Sequence, residues 1–313
     1  QEVYLYTTYH LQRHEAGFIK LPEISVLHNG RYSGGISAMK LNYTDWKNEH
    51  KAILESFSRK KVFMSFTGGK DSSVILSFLL SAAKEFGFEF ETGTAVYPNH
   101  VFPENERQHL SQYWRHRGID IQWHHLHPTD SFLEDALNKG DNPCHVCHQI
   151  KRKFMYHYLQ QTGQNGKDSV LIMSFTLWDL VSYTFEYLTG AIYGIDHSPK
   201  EPKSKSSVQR VIVTSHRFYP YIGLKDGFSI FKPLLRYNDN EIMEVIAAEK
   251  IPLFTTACTY KTFTPKRIFS DYYRQMHLSF DYDKVLEFAK QSLKLKDVRY
   301  YTEMKTEDFI RVL

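Results

Sequence analysis

Hydrophobic positions in this 313-residue chain fall into blocks whose period changes from one to the next. Lys61 to Phe66 (KVFMSF) is a short apolar run that ends on turn residues, which predicts a buried strand. Val74, Ile75, Leu76, Phe78, Leu79 and Leu80 follow with hardly a polar position, as in a helix packed against a sheet. The alternation continues with Phe88 to Tyr97 as a strand, Glu104 to Arg117 as a helix and Ile119 to Leu126 as a strand. Lys151 to Gln161 then reads as a helix, Ser169 to Phe175 as a buried strand and Leu177 to Thr189 as a helix. Repeated strand-helix-strand units predict an α/β fold, a doubly wound parallel sheet with ligands at the carboxyl ends of its strands.

The flanks read differently. In residues 1–59, Val3 to Tyr9 is strand-like, the middle is turn-rich, and Trp46, Ile53, Leu54 and Phe57 recur at helical spacing. Asp196 to Gln209 (DHSPKEPKSKSSVQ) breaks the pattern with Pro, Ser and Lys and predicts a mobile surface loop. Asn238 with Glu241 three positions on predicts a capping-box start for a helix from Glu241 to Glu249. From Tyr260 onward the chain is aromatic, basic and helical in pattern. The expected organisation is an N-terminal accessory region over 1–59, a main α/β domain over 60–262 and a helical C-terminal tail over 263–313.

Candidate chemistry begins where the first strand meets its helix, at Thr67-Gly68-Gly69-Lys70-Asp71-Ser72. Two glycines let the backbone reach positive φ and let a ligand approach without meeting a Cβ. The helix N-terminus left open behind them binds anions. A Gly pair alone also makes an ordinary strand-to-helix turn, but the hydroxyls and the Lys-Asp-Ser around this one favour the anion site. The spacing is not the Gly-x4-Gly-Lys-Ser/Thr of a Walker loop.

Composition narrows the class. With 42% hydrophobic residues the chain can bury one large core. No run reaches the roughly 18 apolar residues of a membrane span, and the first residues do not read as a signal peptide, so a cytoplasmic protein without a membrane partner is expected. A net charge of +4 permits nucleic-acid binding without arguing for it. The basic residues gather at Lys151, Arg152 and Lys153 and again at Lys200, Lys203, Lys205 and Arg210, the second group reading first as a solvated face.

Three cysteines, Cys144, Cys147 and Cys258, are too few and too odd in number for a disulfide framework. They suit a Cys3His zinc site completed by a histidine such as His145 or His148. They also suit three corners of a [4Fe–4S] cluster with the fourth iron open, with zinc ahead on spacing alone. The plain alternative makes Cys258 a buried small hydrophobe beside an incidental Cys-x2-Cys pair.

The glycine turn resembles the Ser-Gly-Gly-x-Asp-Ser signature of the PP-loop (adenine nucleotide alpha hydrolase-like) ATP pyrophosphatase superfamily, with Thr67 in place of the first Ser. Cys144-His-Val-Cys147-His-Gln-Ile-Lys151-Arg152-Lys153 resembles the cysteine pair and basic helix of PP-loop tRNA thiolases, above all the iron-sulfur-dependent tRNA 2-thiocytidine synthetase family. Tyr97 to Pro103 with Glu104, and Lys232-Pro233-Leu234, resemble further segments of that family, so the likeness spans roughly residues 60 to 262. Two departures stand out. Lys261 replaces a second late cysteine, and Ser174 to Asp179 replaces a Gly-His-His-x-Asp-Asp run and keeps one acid, Asp179.

The resemblance implies an ATP-dependent sulfurtransferase that adenylates a carbonyl oxygen of a nucleobase and replaces it with sulfur. It implies ATP and Mg2+ at Ser65, Phe66, Thr67, Gly68, Gly69, Lys70, Asp71 and Ser72, with Tyr97, Ser174 and Phe175 receiving adenine and ribose. It implies a [4Fe–4S] cluster on Cys144, Cys147 and Cys258, zinc being the second metal considered, and catalytic roles for Asp71, Lys151 and Asp179. Asp179 reads equally as a helix N-terminal acid. The expected substrate is a cytidine of tRNA, with a small nucleobase-like heterocycle as the alternative; a sulfide donor is the expected partner, and a homodimer is left open. An adenosine-phosphosulfate-reductase-like enzyme shares the loop and the Phe102-Pro103-Glu104 segment, but it needs a cysteine near the C-terminus and none follows Cys258. A non-enzymatic metal-binding protein leaves the loop without a purpose.

Overall fold

The computed structural model describes residues 41–97, 103–126, 129, 131–162, 168–189 and 207–312. The expected strand at Val3 to Tyr9, residues 98–102 of the segment after the second strand, and the basic positions Lys200, Lys203 and Lys205 lie outside them.

A first helix, α1 (Tyr43–Glu55), leads into β1 (Lys61–Ser65), and the glycine turn feeds α2 (Lys70–Phe86). The chain continues through β2 (Phe90–Val96), α3 (Glu104–His116), β3 (Ile121–His125), α4 (Ser131–Asn138), α5 (Pro143–Thr162), β4 (Ser169–Ile172) and α6 (Leu177–Tyr187). After α7 (Ser207–Ser215) come two three-residue strands, β5 (Tyr221–Gly223) and β6 (Ser229–Phe231), and α8 (Asp239–Glu249). Four helices follow, α9 (Pro265–Gln275), α10 (Tyr282–Ser292), α11 (Val298–Thr302) and α12 (Thr306–Val312).

The six strands order as β3-β2-β1-β4-β6-β5, all parallel except the β5 edge. Alternate side chains bury on opposite faces, as the period of a strand requires. Val62 and Met64 of β1, Val170 and Ile172 of β4 and Phe231 of β6 join Trp46, Leu54, Leu76 and Ile242 on one face. Phe63, Leu171 and Ile230 join Met155, Leu159, Tyr301 and Phe309 on the other. Helices therefore cover both faces, and the order reverses between β1 and β4, the switch point at which such sheets bind ligands. Among the described residues no helix is long and apolar enough to cross a membrane.

Three elements differ from expectation. The helix expected at Lys151 begins at Pro143, because the Asn142 side chain accepts from the backbone N–H of Cys144 (2.9 Å) and His145 (3.3 Å) and proline fits the first helical position. The expected loop to Gln209 gives way to α7 at Ser207, since the apolar positions that anchor that helix, such as buried Ile212, lie beyond the stretch that reads as loop. Strands β5 and β6 carry too few residues to show an alternation. The capping box at Asn238 is present, Glu241 accepting from the Asn238 N–H at 2.8 Å.

Candidate active site at the glycine turn

Gly68 has φ +66, and a Cβ there would stand 2.0 Å from a ring carbon of Phe254, so the position admits only glycine. The Phe254 N–H donates to the Gly68 carbonyl at 3.2 Å, which lays the 252–258 segment across the turn. Glu106 of α3 fastens the same segment from outside: its carboxylate accepts from the N–H of Thr255 (2.8 Å) and Thr256 (3.1 Å) and from both threonine hydroxyls. Those bonds hold Glu106 below the usual carboxylate range although partial desolvation opposes them.

Gly69 caps α2 without a side chain, which leaves the first turn of the helix turned toward a cavity of about 770 Å³. Ser65, Thr67, Gly69, Lys70, Asp71 and Phe175 line it, and so do Lys151 and the three cysteines. The other expected residues stand elsewhere. Phe66 and Tyr97 are buried, and Ser174 is half-buried outside the lining. The Ser72 hydroxyl is buried and closes the loop internally, donating to the Gly69 carbonyl (3.0 Å) and meeting the Thr67 hydroxyl at 3.0 Å.

Charge near the turn is balanced. The Lys70 ammonium lies 2.5 Å from Asp71 and 2.9 Å from Asp239, at the start of α8. Burial works against the Lys70 charge, but the two carboxylates outweigh it and hold the group above the ordinary lysine value. Burial raises Asp239. Asp179 is 0% exposed; it accepts from the Thr176 N–H at 3.0 Å as the acid of a capping box and pairs with Lys266 of α9. Its helix-terminal reading is thus realised in the geometry, and Lys266 is the group of that pair that reaches the cavity.

Lys151 stands 5.4 Å from the Tyr97 ring centroid; burial lowers it, while Cys147 and Cys258 pull the other way. Burial raises the Cys147 and Cys258 thiols, so at neutral pH they rest protonated and are weak nucleophiles. The Cys144 thiol donates to the Tyr260 carbonyl at 3.1 Å and accepts from the Thr264 hydroxyl at 3.2 Å. Cys147 packs with Tyr97 and Leu133.

The three thiols share the cavity, yet among the described residues no group of three or more His, Cys, Asp or Glu is placed to hold a metal ion. This overturns the expected metals: the [4Fe–4S] cluster on Cys144, Cys147 and Cys258, the zinc considered beside it, and Mg2+ at Asp71. Cys144 is engaged by the 260–264 segment, Cys147 packs against Tyr97 and Leu133, and Asp71 is taken up by Lys70.

Sequence reasoning missed Asp239, Lys266, Arg217 and Tyr183, all of which line the cavity. Asp239 carried a usable signal, an acid in the first turn of a helix that follows a sheet strand. Lys266 carried none, because α9 lies far along the chain from the turn it approaches.

No family profile matches the chain. A segment of it is 27% identical over 103 residues to a tRNA-cytidine(32) 2-sulfurtransferase of Dichelobacter nodosus, covering 33% of this chain and 38% of that protein. It is 29% identical over 112 residues to the enzyme of the same name from Stenotrophomonas maltophilia, covering 33% of each. The match thus spans about a third of the length of these curated relatives. The fold is that of the U34-tRNA thiolase NcsA from Methanococcus maripaludis, solved with its [4Fe–4S] cluster, at TM-score 0.53 and 15% identity over 82% of this chain and 81% of that one. With a parallel sheet of this order, a Thr-Gly-Gly-Lys-Asp-Ser turn at its switch point and that matched segment, the chain is a PP-loop protein related to the tRNA-cytidine 2-thiolation family.

Proposed function

We propose that the chain is an ATP-dependent sulfurtransferase acting on a nucleobase carbonyl, with a tRNA cytidine as substrate. The observation that carries this reading is the Gly68-Gly69 turn at the sheet's switch point, opening the N-terminus of α2 into a cavity that also holds a basic wall and three thiols. Backbone N–H groups of the turn and the Thr67 hydroxyl take the ATP phosphates. The substrate oxygen attacks the α-phosphorus, the bond to pyrophosphate breaks, and the oxygen becomes that of a bound AMP ester. Sulfide from a donor then adds at the same carbon, and AMP leaves with the original oxygen, so no electrons are exchanged.

Lys266 is the cation best set to meet the charge that develops at the α-phosphate, because Asp179 keeps its ammonium charged and in place. Lys70 is released toward phosphate as its two carboxylates turn away. Lys151, lowered by burial and standing among the thiols, is set to take the proton of the incoming sulfur.

The test is release of AMP and pyrophosphate by the purified protein on addition of tRNA and sulfide, with nucleoside mass spectrometry of the tRNA. Equimolar AMP, pyrophosphate and a thiocytidine are expected. AMP release with a free heterocycle and none with tRNA would transfer the activity to a small molecule, and no AMP with either removes the reading.

A further inference from the structure

The scheme above leaves one wall of the cavity without a task. Arg152 on α5 and Arg217 between α7 and β5 both line it, brought together from distant parts of the chain. The Arg217 guanidinium lies 3.9 Å from the centroid of the Tyr183 ring on α6, and that ring stands 6.0 Å from Phe175. Stacking fixes a guanidinium plane and keeps its edge donors available, the arrangement that suits a bidentate phosphate contact beside a planar ring.

We infer that Arg152 and Arg217 form a second anion subsite, distinct from the glycine turn, for a phosphate ester carried by the nucleotide whose base is modified. This rests on the nucleobase reading above. Tyr183 and Phe175 flank the subsite as surfaces for a flat ring. The two guanidinium groups are close enough to feel one another: burial, and next the Arg217 charge, hold Arg152 below the usual arginine value. Lys266 lines the same cavity and extends the positive field toward the turn, while burial, followed by the surrounding cations, lowers His148 to about 4 and leaves it neutral. A phosphomonoester of a free nucleotide and a phosphodiester of RNA offer the same chemistry.

The experiment titrates the full chain by calorimetry with cytidine, CMP, a short cytidine-bearing RNA hairpin and α,β-methylene-ATP, in wild type and Arg152→Gln/Arg217→Gln. The double variant should weaken CMP or hairpin binding by about tenfold per arginine, with cytidine and the ATP analogue unchanged. Arg217→Lys, which keeps the charge without the fork, should fall between. Loss confined to the hairpin assigns a phosphodiester, and loss for CMP as well a phosphomonoester. Equal loss for cytidine and CMP, loss of the ATP analogue, unchanged binding in both variants, or no wild-type binding of either phosphate probe below about 1 mM overturns the subsite. A wild type that binds CMP or hairpin but not the ATP analogue removes the adenylation reading and leaves the subsite standing.

Discussion

At the glycine turn, Lys70 lies between two carboxylates and Lys266 against a third, whereas Arg152 of α5 and Arg217, which precedes β5, bring two guanidinium groups to one wall of the cavity. The first region is balanced within the protein, so a polyphosphate gains there mainly from fixed backbone donors and must displace carboxylates as it enters. The second region offers an arriving anion two guanidinium forks, one of them stacked on Tyr183. One cavity thus pairs lysines held by carboxylates with a pair of guanidinium groups, and the two should respond differently to the same kind of substitution.

The comparison breaks most visibly at Asp71. Asp71→Ala removes the carboxylate that holds Lys70 at the turn and leaves its ammonium drawn to Asp239, away from the phosphates, so AMP release should fall by about a hundredfold or more while circular dichroism stays that of wild type. A wild-type rate would mean that the turn does not handle ATP.

Gly68→Ala tests the same region through the backbone. Positive φ costs an L-residue about 1–2 kcal/mol, and the Phe254 ring must also shift to admit the methyl, adding about 1–3 kcal/mol. Urea denaturation should report the sum, and a loss under about 1 kcal/mol would show that the 252–258 segment moves aside freely.

Lys266→Met leaves the buried Asp179 carboxylate without its cation. The cost should be about 2 kcal/mol, below that of a wholly buried pair because the ammonium is partly wet. Lys266→Arg should restore most of it, and no change in the urea midpoint would make the pair incidental.

The smallest effect near neutral pH concerns Lys232, which is 0% exposed and donates to the carbonyls of His216 (3.0 Å) and Tyr219 (2.6 Å). Burial lowers its pKa to about 7. A depressed lysine contributes its full stability above the unfolded value of about 10.4 and loses that contribution as the pH falls through about 7. Stability should therefore climb from pH 7 toward pH 10, by at most about 1.4 kcal/mol per unit. Lys232→Met should flatten that climb in pH-dependent unfolding, and a slope equal to wild type would assign the rise to other groups.

Much of the sheet was legible because β1 and β4 are buried on both faces and read as apolar runs, and the turn was legible because few residues other than glycine fit it. What the pattern concealed was long-range. Asp239 meets Lys70 across 169 positions, and Lys266 reaches Asp179 from a helix whose pattern says only that it is amphipathic. The cysteines show the opposite failure. Their spacing and family likeness pointed to a metal, but spacing does not fix how distant thiols are disposed, and among the described residues no group of three or more His, Cys, Asp or Glu is placed to hold one.

The bond from Phe254 to Gly68 and the grip of Glu106 on Thr255 and Thr256 have a thermodynamic corollary. Cys258 lies four positions beyond Phe254 on the same strap, a covalent route by which a shift of the turn would reach that thiol. Reciprocity then requires that whatever factor nucleotide changes in the equilibrium modification of Cys258, modification changes in nucleotide affinity. Reversible disulfide exchange at Cys258, followed with and without α,β-methylene-ATP, measures that factor from both sides, and equal values other than one would make the strap a two-way messenger between the phosphate end of the cavity and its sulfur end.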